Sequence, residues 1–300
     1  MSIVRTTAVS GVSFLVMAGV LWGTGGLLGR MLADAAGLSS LAVAAYRLAV
    51  GGLLIVGYLL VSGRRVPRHP AAWRRITATG TLAALFQGCY FTAVSLTSVS
   101  LATLVTIGSA PVLVLLVRRR TAERRQVGAV VLALLGLGLL VGLPADGPGA
   151  VLAGSAFAVL AGAGFAVMTV LASRPIPGLD DMSTTGLGFT FGGALLVPLA
   201  GATSGLGFVP DVRTVGLLVA LGAVPTAVAY TCYFRGLRSA SATVGVVMAL
   251  LEPLTAAVLA ALLLGDRLGA VGVTGAVLLG AAVILAGRGN PDRPVPEPSA

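Results

Sequence analysis

Apolar runs of about twenty residues recur along the whole 300-residue chain, and each is long enough to cross a bilayer as a helix. Without water, backbone amides and carbonyls must bond within their own segment, and a helix does this. The alternative, a β-barrel, needs apolar and polar residues to alternate, whereas these runs are apolar on every face. Composition agrees: charged residues are only 10% of the chain, against about 25% in soluble domains, and mean hydropathy is +1.01. The predicted fold is an all-α membrane protein with spans near 11–31, 40–62, 76–97, 99–117, 127–143, 150–173, 184–202, 214–234, 241–264 and 268–287. The polar, proline-rich residues 288–300 read as a disordered cytoplasmic tail. The first span is longer than the apolar core of a signal peptide, and Arg30 precedes the small-residue stretch at Ala33–Ala35, so it is read as retained.

A net charge of +10 would suit a nucleic-acid partner if it were contiguous. It is not. All twenty basic residues are Arg, and they sit in short segments between the apolar runs. With the N-terminus inside, sixteen fall on the inner side, three (Arg30, Arg213 and Arg267) on the outer side, and Arg47 within a span. That asymmetry predicts both termini in the cytoplasm. Arg-only usage beside abundant Ala, Gly, Val and Leu resembles a GC-rich bacterial genome, so the expected location is a bacterial inner (plasma) membrane. Cys89 and Cys232 lie inside apolar runs and His69 in a loop, with no spacing suited to a metal; no cofactor site is recognisable.

The two halves match each other. Val20–Gly25 aligns with Val159–Gly164, Gly51–Val56 with Gly192–Val197, Cys89-Tyr90-Phe91 with Cys232-Tyr233-Phe234, and Pro111 with Pro253. The chain is thus read as two five-span repeats, 11–143 and 150–287. An odd number of spans makes the second copy enter from the opposite side, giving an inverted repeat of the kind transporters use.

Ten spans in a five-plus-five duplication, with Leu21-Trp22-Gly23, Tyr46-Arg47-Leu48-Ala49, Leu251-Glu252-Pro253, Leu264-Gly265-Asp266-Arg267-Leu268 and Gly275-Ala276, resemble the EamA domain pair of the drug/metabolite transporter superfamily. The likeness covers roughly 12–287. Arg118-Arg119-Arg120 replaces the acidic loop motif in the first half, and Ala110 stands where Glu252 falls in the second. The resemblance implies ten helices, a central cavity between halves, and secondary transport, commonly export of small metabolites.

Glu252 is the only acid well inside a span. A carboxylate there is costly unless paired, protonated or hydrated. It is read as a proton acceptor or ligand for a substrate cation, or else as a structural contact beside Pro253. Arg47 reaches a similar depth and either binds a carboxylate, pairs with Glu252, or snorkels outward. Pro111 and Pro253 are predicted at equivalent mid-helix places where freed carbonyls line a site, or simply kink their helices. Trp22, Gln87, Tyr90, Thr106, Ser109, Tyr230 and Tyr233 are cavity candidates whose alternative role is packing.

The expected function is secondary transport of a small organic metabolite, with proton exchange at Glu252. An amino acid would place its carboxylate on Arg47 and its ammonium on Glu252. The alternatives are a hydrophobic organic cation, held by Glu252 and the aromatics, or a passive channel. An enzyme would need a metal cluster, paired acids or an activated nucleophile, which one loop His and one buried acid do not assemble. The expected partners are the bilayer and the solute, without nucleic acid. Gly128, Gly136, Gly138, Gly272, Gly275 and Gly280 suit either a homodimer or packing within one chain.

Overall fold

A computed structural model of the protein describes residues 2–64, 66–97, 99–117, 123–141, 148–263 and 269–288. Arg118–Arg120, the Leu264–Leu268 motif and the tail beyond Arg288 lie outside the described residues. The described chain is helical: α1 Ser2–Ala36, α2 Ser40–Val61, α3 Pro70–Leu96, α4 Val99–Val117, α5 Arg124–Val141, α6 Pro148–Ala172 and α7 Asp181–Thr203. The eighth span joins α8 Val212–Gly222 to α9 Ala229–Leu237 through a π-helical segment, Ala223–Val228. The ninth joins α10 Ala242–Met248 to α11 Leu251–Leu263, and α12 Ala270–Gly287 is the tenth. Among the described residues, eight spans are long and apolar enough to cross a membrane. The other two are α3, which is 27 residues long but diluted by threonines and Gln87, and the short apolar α4.

Local chemistry sets the helix ends. The Ser39 hydroxyl accepts from Ala42 N at 3.1 Å, and Ser241 does the same for Val244 N at 3.3 Å. Asp180 caps α7 through Ser183 N at 2.7 Å. Asp211 and Thr214 form a reciprocal capping box on α8. His69 caps α3 ahead of Pro70, whose missing amide costs nothing in a first turn. Gly37 and Gly63, both with φ +64°, end α1 and α2 in the left-handed conformation that glycine adopts freely.

In a bilayer, lipid tails solvate apolar side chains as well as leucine does, so close backbone approach drives helix packing. Glycine supplies it. A Cβ on Gly52 of α2 would collide with Thr190 of α7, and one on Gly193 would lie 2.7 Å from Ala49 Cα. A Cβ on Gly136 of α5 would meet Leu279 N at 2.7 Å, and one on Gly275 of α12 would meet Leu140 N at 2.5 Å. Each of these is a contact and its mirror between the halves: α2 crosses α7, and α5 crosses α12. The other main contacts pair likewise, α3 and α4 against α6, and α9 and α11 against α1. Gly136 and Gly275 are thus spent inside one chain, while Gly128, Gly138 and Gly280 face open space. Large apolar residues such as Leu60, Leu116, Leu152 and Leu262 point outward, where lipid meets them.

Candidate functional site

Two backbone irregularities set up the interior. The ninth span breaks at Ala249–Leu250. Leu250 N donates to Val247 O at 3.1 Å and Glu252 N to Ala249 O at 3.0 Å, both three residues back rather than four. Pro253 has no amide to give the Ala249 carbonyl, so the Glu252 amide takes its place and the turn tightens. Pro253 therefore stands in the first turn of α11, whereas Pro111 sits inside a continuous α4. The expectation that both prolines fall in mid-helix at equivalent places needs correcting. A Cβ on Gly23 would strike Thr255 and lie 3.0 Å from the Glu252 carbonyl, while one on Gly162 would strike Ser109 and lie 2.6 Å from the Thr106 carbonyl. By these contacts Glu252 answers to Thr106, not to Ala110, and the prolines are one turn out of step.

The second irregularity is the π-helical segment. Pro225 leaves the Leu221 carbonyl without its usual donor, and the Thr226 hydroxyl donates to it at 2.9 Å. The same hydroxyl accepts from Arg47 Nε at 3.3 Å, and Arg47 Nη2 reaches the Pro225 carbonyl at 3.5 Å. Arg47 thus ties α2 to the π-helical stretch of the eighth span.

Between the halves lies a cavity of about 30 Å³, lined by Trp22 of α1, Phe86 of α3, Thr106 and Ile107 of α4, Phe165 of α6, Tyr230 of α9, Val246 of α10, Ala249 at the break and Glu252 of α11. That is room for about two waters. Its walls are aromatic: Trp22 meets Tyr230 edge-on at 4.8 Å and Phe165 at 5.9 Å, and Phe86 lies 5.7 Å from Phe165. Glu252 stands midway along the Ala242–Leu263 span, and its carboxylate has no hydrogen-bond or ion-pair partner among the described residues. Trp22 Nε1 and the Thr106 hydroxyl, on residues 4% and 2% exposed, are also unpartnered. Buried polar groups are rarely left so.

The structure therefore brings together Trp22, Thr106, Tyr230 and Glu252 among the residues singled out in the sequence. It does not join Arg47 to Glu252: no ion pair links them among the described residues, and Arg47 is not on the cavity wall. Tyr233 backs Trp22 at 4.8 Å and bonds Thr169 at 2.9 Å. Tyr90 stacks toward Phe86 and bonds Thr103 at 2.8 Å. Ser109 donates to the Thr106 carbonyl at 3.0 Å. Gln87 is buried beside these without a partner for its Nε2. Phe86, Phe165 and Ile107 were not singled out, because runs apolar on every face hide which residue points inward. Pro225, by contrast, was readable as a further proline within a span.

The model of the EamA-like transporter family matches the chain twice, over residues 9–142 and 152–288. An uncharacterized transporter of Bacillus subtilis (strain 168), YwfM, is 29% identical over 263 residues, 85% of this chain and 86% of that protein. A protein of known crystal structure superposes with a TM-score of 0.79 over 92% of this chain and 97% of its own, at 19% identity; that likeness concerns the fold alone.

Proposed function

This chain belongs to the EamA-like transporter family, and from that premise we propose that it is a secondary exporter whose two halves, as inverted repeats, expose the Glu252 cavity alternately to either side of a bacterial plasma membrane. One observation carries the reading. An unpartnered carboxylate stands at mid-span in an aromatic-walled cavity to which both halves contribute. A carboxylate at bilayer depth without an ion-pair partner is costly, and a proton or a bound cation relieves that cost. Proton and solute thus compete for Glu252, and that competition couples their opposite movements. Two five-span units with reciprocal glycine contacts, α2 on α7 and α5 on α12, suit rocking about a shared axis. The inner excess of Arg puts both termini in the cytoplasm.

An amino acid would need a cation for its carboxylate, and Arg47 is engaged with Thr226 and Pro225 instead. The cavity's acid and aromatic walls favour a small organic cation, attracted to ring faces as well as to charge.

The test is counterflow in proteoliposomes with labelled organic cations and amino acids, with and without an imposed pH gradient. Gradient-driven accumulation by the native protein, with Glu252→Gln retaining exchange but losing accumulation, supports the proposal. Accumulation unaffected by Glu252→Gln overturns proton coupling at this residue. Flux that equilibrates but never accumulates indicates a channel.

A further inference from the structure

The cavity holds three polar groups that the protein leaves unsatisfied, and their chemistry differs. The Glu252 carboxylate only accepts when ionised. Trp22 Nε1–H only donates, and the Thr106 hydroxyl donates or accepts. Trp22 and Thr106 come from α1 and α4, and both are nearly fully buried without a partner for Trp22 Nε1 or the Thr106 hydroxyl. An empty arrangement of this kind costs free energy, since each unmade bond forfeits its solvation. A ligand that supplies the complement recovers it.

Resting on the reading of this cavity as the solute site, we infer that it selects a small primary amine bearing a neutral oxygen acceptor on an adjacent carbon, such as a vicinal amino alcohol or amino amide. The ammonium goes to Glu252. The neutral oxygen goes to Trp22 Nε1–H and the Thr106 hydroxyl. The closeness of the two ligand groups follows from size: Trp22, Thr106 and Glu252 line one cavity with room for about two waters, which matches one nitrogen and one oxygen. Phe86, Phe165 and Tyr230 receive the apolar remainder as the halves part. A carboxylate in place of the neutral oxygen is rejected, because it would lie beside Glu252 with no cation on the cavity wall. Trp22 and Thr106 are thereby specificity-determining residues, and discrimination works as it does in any site built to hydrogen-bond its substrate: an analogue lacking the oxygen leaves buried donors unpaired.

Trp22 is itself the probe. The chain has two tryptophans, and the other, Trp73, is partly exposed on α3 and bonded to the Pro67 carbonyl. In full-length Trp73→Phe protein in nanodiscs, Trp22 emission is titrated with leucinol, isopentylamine, leucine and 4-methylpentanoate. The expected result is a saturable change with leucinol, with isopentylamine weaker by about tenfold for the lost hydrogen bonds, and no saturation with leucine or 4-methylpentanoate. Thr106→Val brings leucinol and isopentylamine to within about twofold of each other, while Thr106→Ser keeps them apart. Equal binding of leucine and leucinol, selectivity untouched by Thr106→Val when Thr106→Ser is folded and binds, or silence across the panel overturns the inference. Counterflow on the same protein separates the two claims. Selective leucinol binding without exchange leaves the amine site standing and removes transport through it; leucine exchange without leucinol binding leaves the transporter and removes the amine site.

Discussion

Arg47 Nε donates to the Thr226 hydroxyl at 3.3 Å, and that hydroxyl in turn donates to the Leu221 carbonyl at 2.9 Å. One buried threonine therefore holds the span's charged neighbour and repairs the gap left by Pro225. Thr226→Val keeps the shape and removes both bonds. It is expected to cost about 1–3 kcal/mol, read as a fall of several degrees in the thermal midpoint of the protein in nanodiscs, with Thr226→Ser close to native. Arg47→Lys is expected to fall between them, because an ammonium cannot reproduce the fork to Thr226 and the Pro225 carbonyl.

The Gly136–Gly275 crossing tests whether packing of α5 on α12 holds the chain together. Gly136→Ala or Gly275→Ala puts a methyl where backbone atoms stand 2.5–2.8 Å away, so the helices must separate. Overpacking of this kind costs about 1–3 kcal/mol. Gly280→Ala, on the same helix but facing open space, is expected to be neutral or slightly stabilising, since alanine favours helix. Equal thermal midpoints for all three variants would refute the close crossing.

Asp211 offers a pH signature outside the membrane. Its carboxylate accepts from the Thr214 amide at 2.6 Å and the Thr214 hydroxyl at 2.8 Å, and these bonds hold it below the ordinary value of 3.8. A folded value lower than the unfolded one means that its stabilisation is present above the ordinary value and is lost as pH falls through the depressed one. Amide exchange at the start of α8 is therefore expected to quicken in strong acid. Asp211→Asn, which still caps, should abolish that pH dependence.

The orientation is checked by cysteine labelling. Both native cysteines are buried, so background is low. Gly207→Cys, in the exposed α7–α8 connection, is expected to react with an impermeant maleimide in intact cells. Arg68→Cys, between α2 and α3, should react only after permeabilisation. The reverse pattern would invert the proposed topology.

Much was legible before folding, because a bilayer imposes a single strong rule: backbone groups must be satisfied inside each span, so length and hydropathy alone locate the helices. The Gly51-Gly52 and Gly192-Gly193 match marked the duplication, and the structure places those glycines at the α2–α7 crossing, where a Cβ would collide. Glu252 stood out for a related reason, since a lone carboxylate in an apolar run is expensive and therefore conspicuous.

Which side chains meet is a different matter. Arg47 and Glu252 lie at similar depth, but depth says nothing about lateral position, and the structure gives Arg47 to Thr226. Thr106 answers to Glu252 instead of Ala110, because the correspondence follows which carbonyl packs on Gly162 and Gly23, and a run of Ala, Leu and Val does not record that register. Phe86 and Phe165 became cavity walls only through packing, since a run that is apolar on every face carries no mark of its inner side. The sequence by itself determined the spans, the duplication and the exceptional acid, all local properties of chain and solvent. The tertiary structure alone decided the cavity and its unsatisfied donors, which depend on contacts between residues distant along the chain.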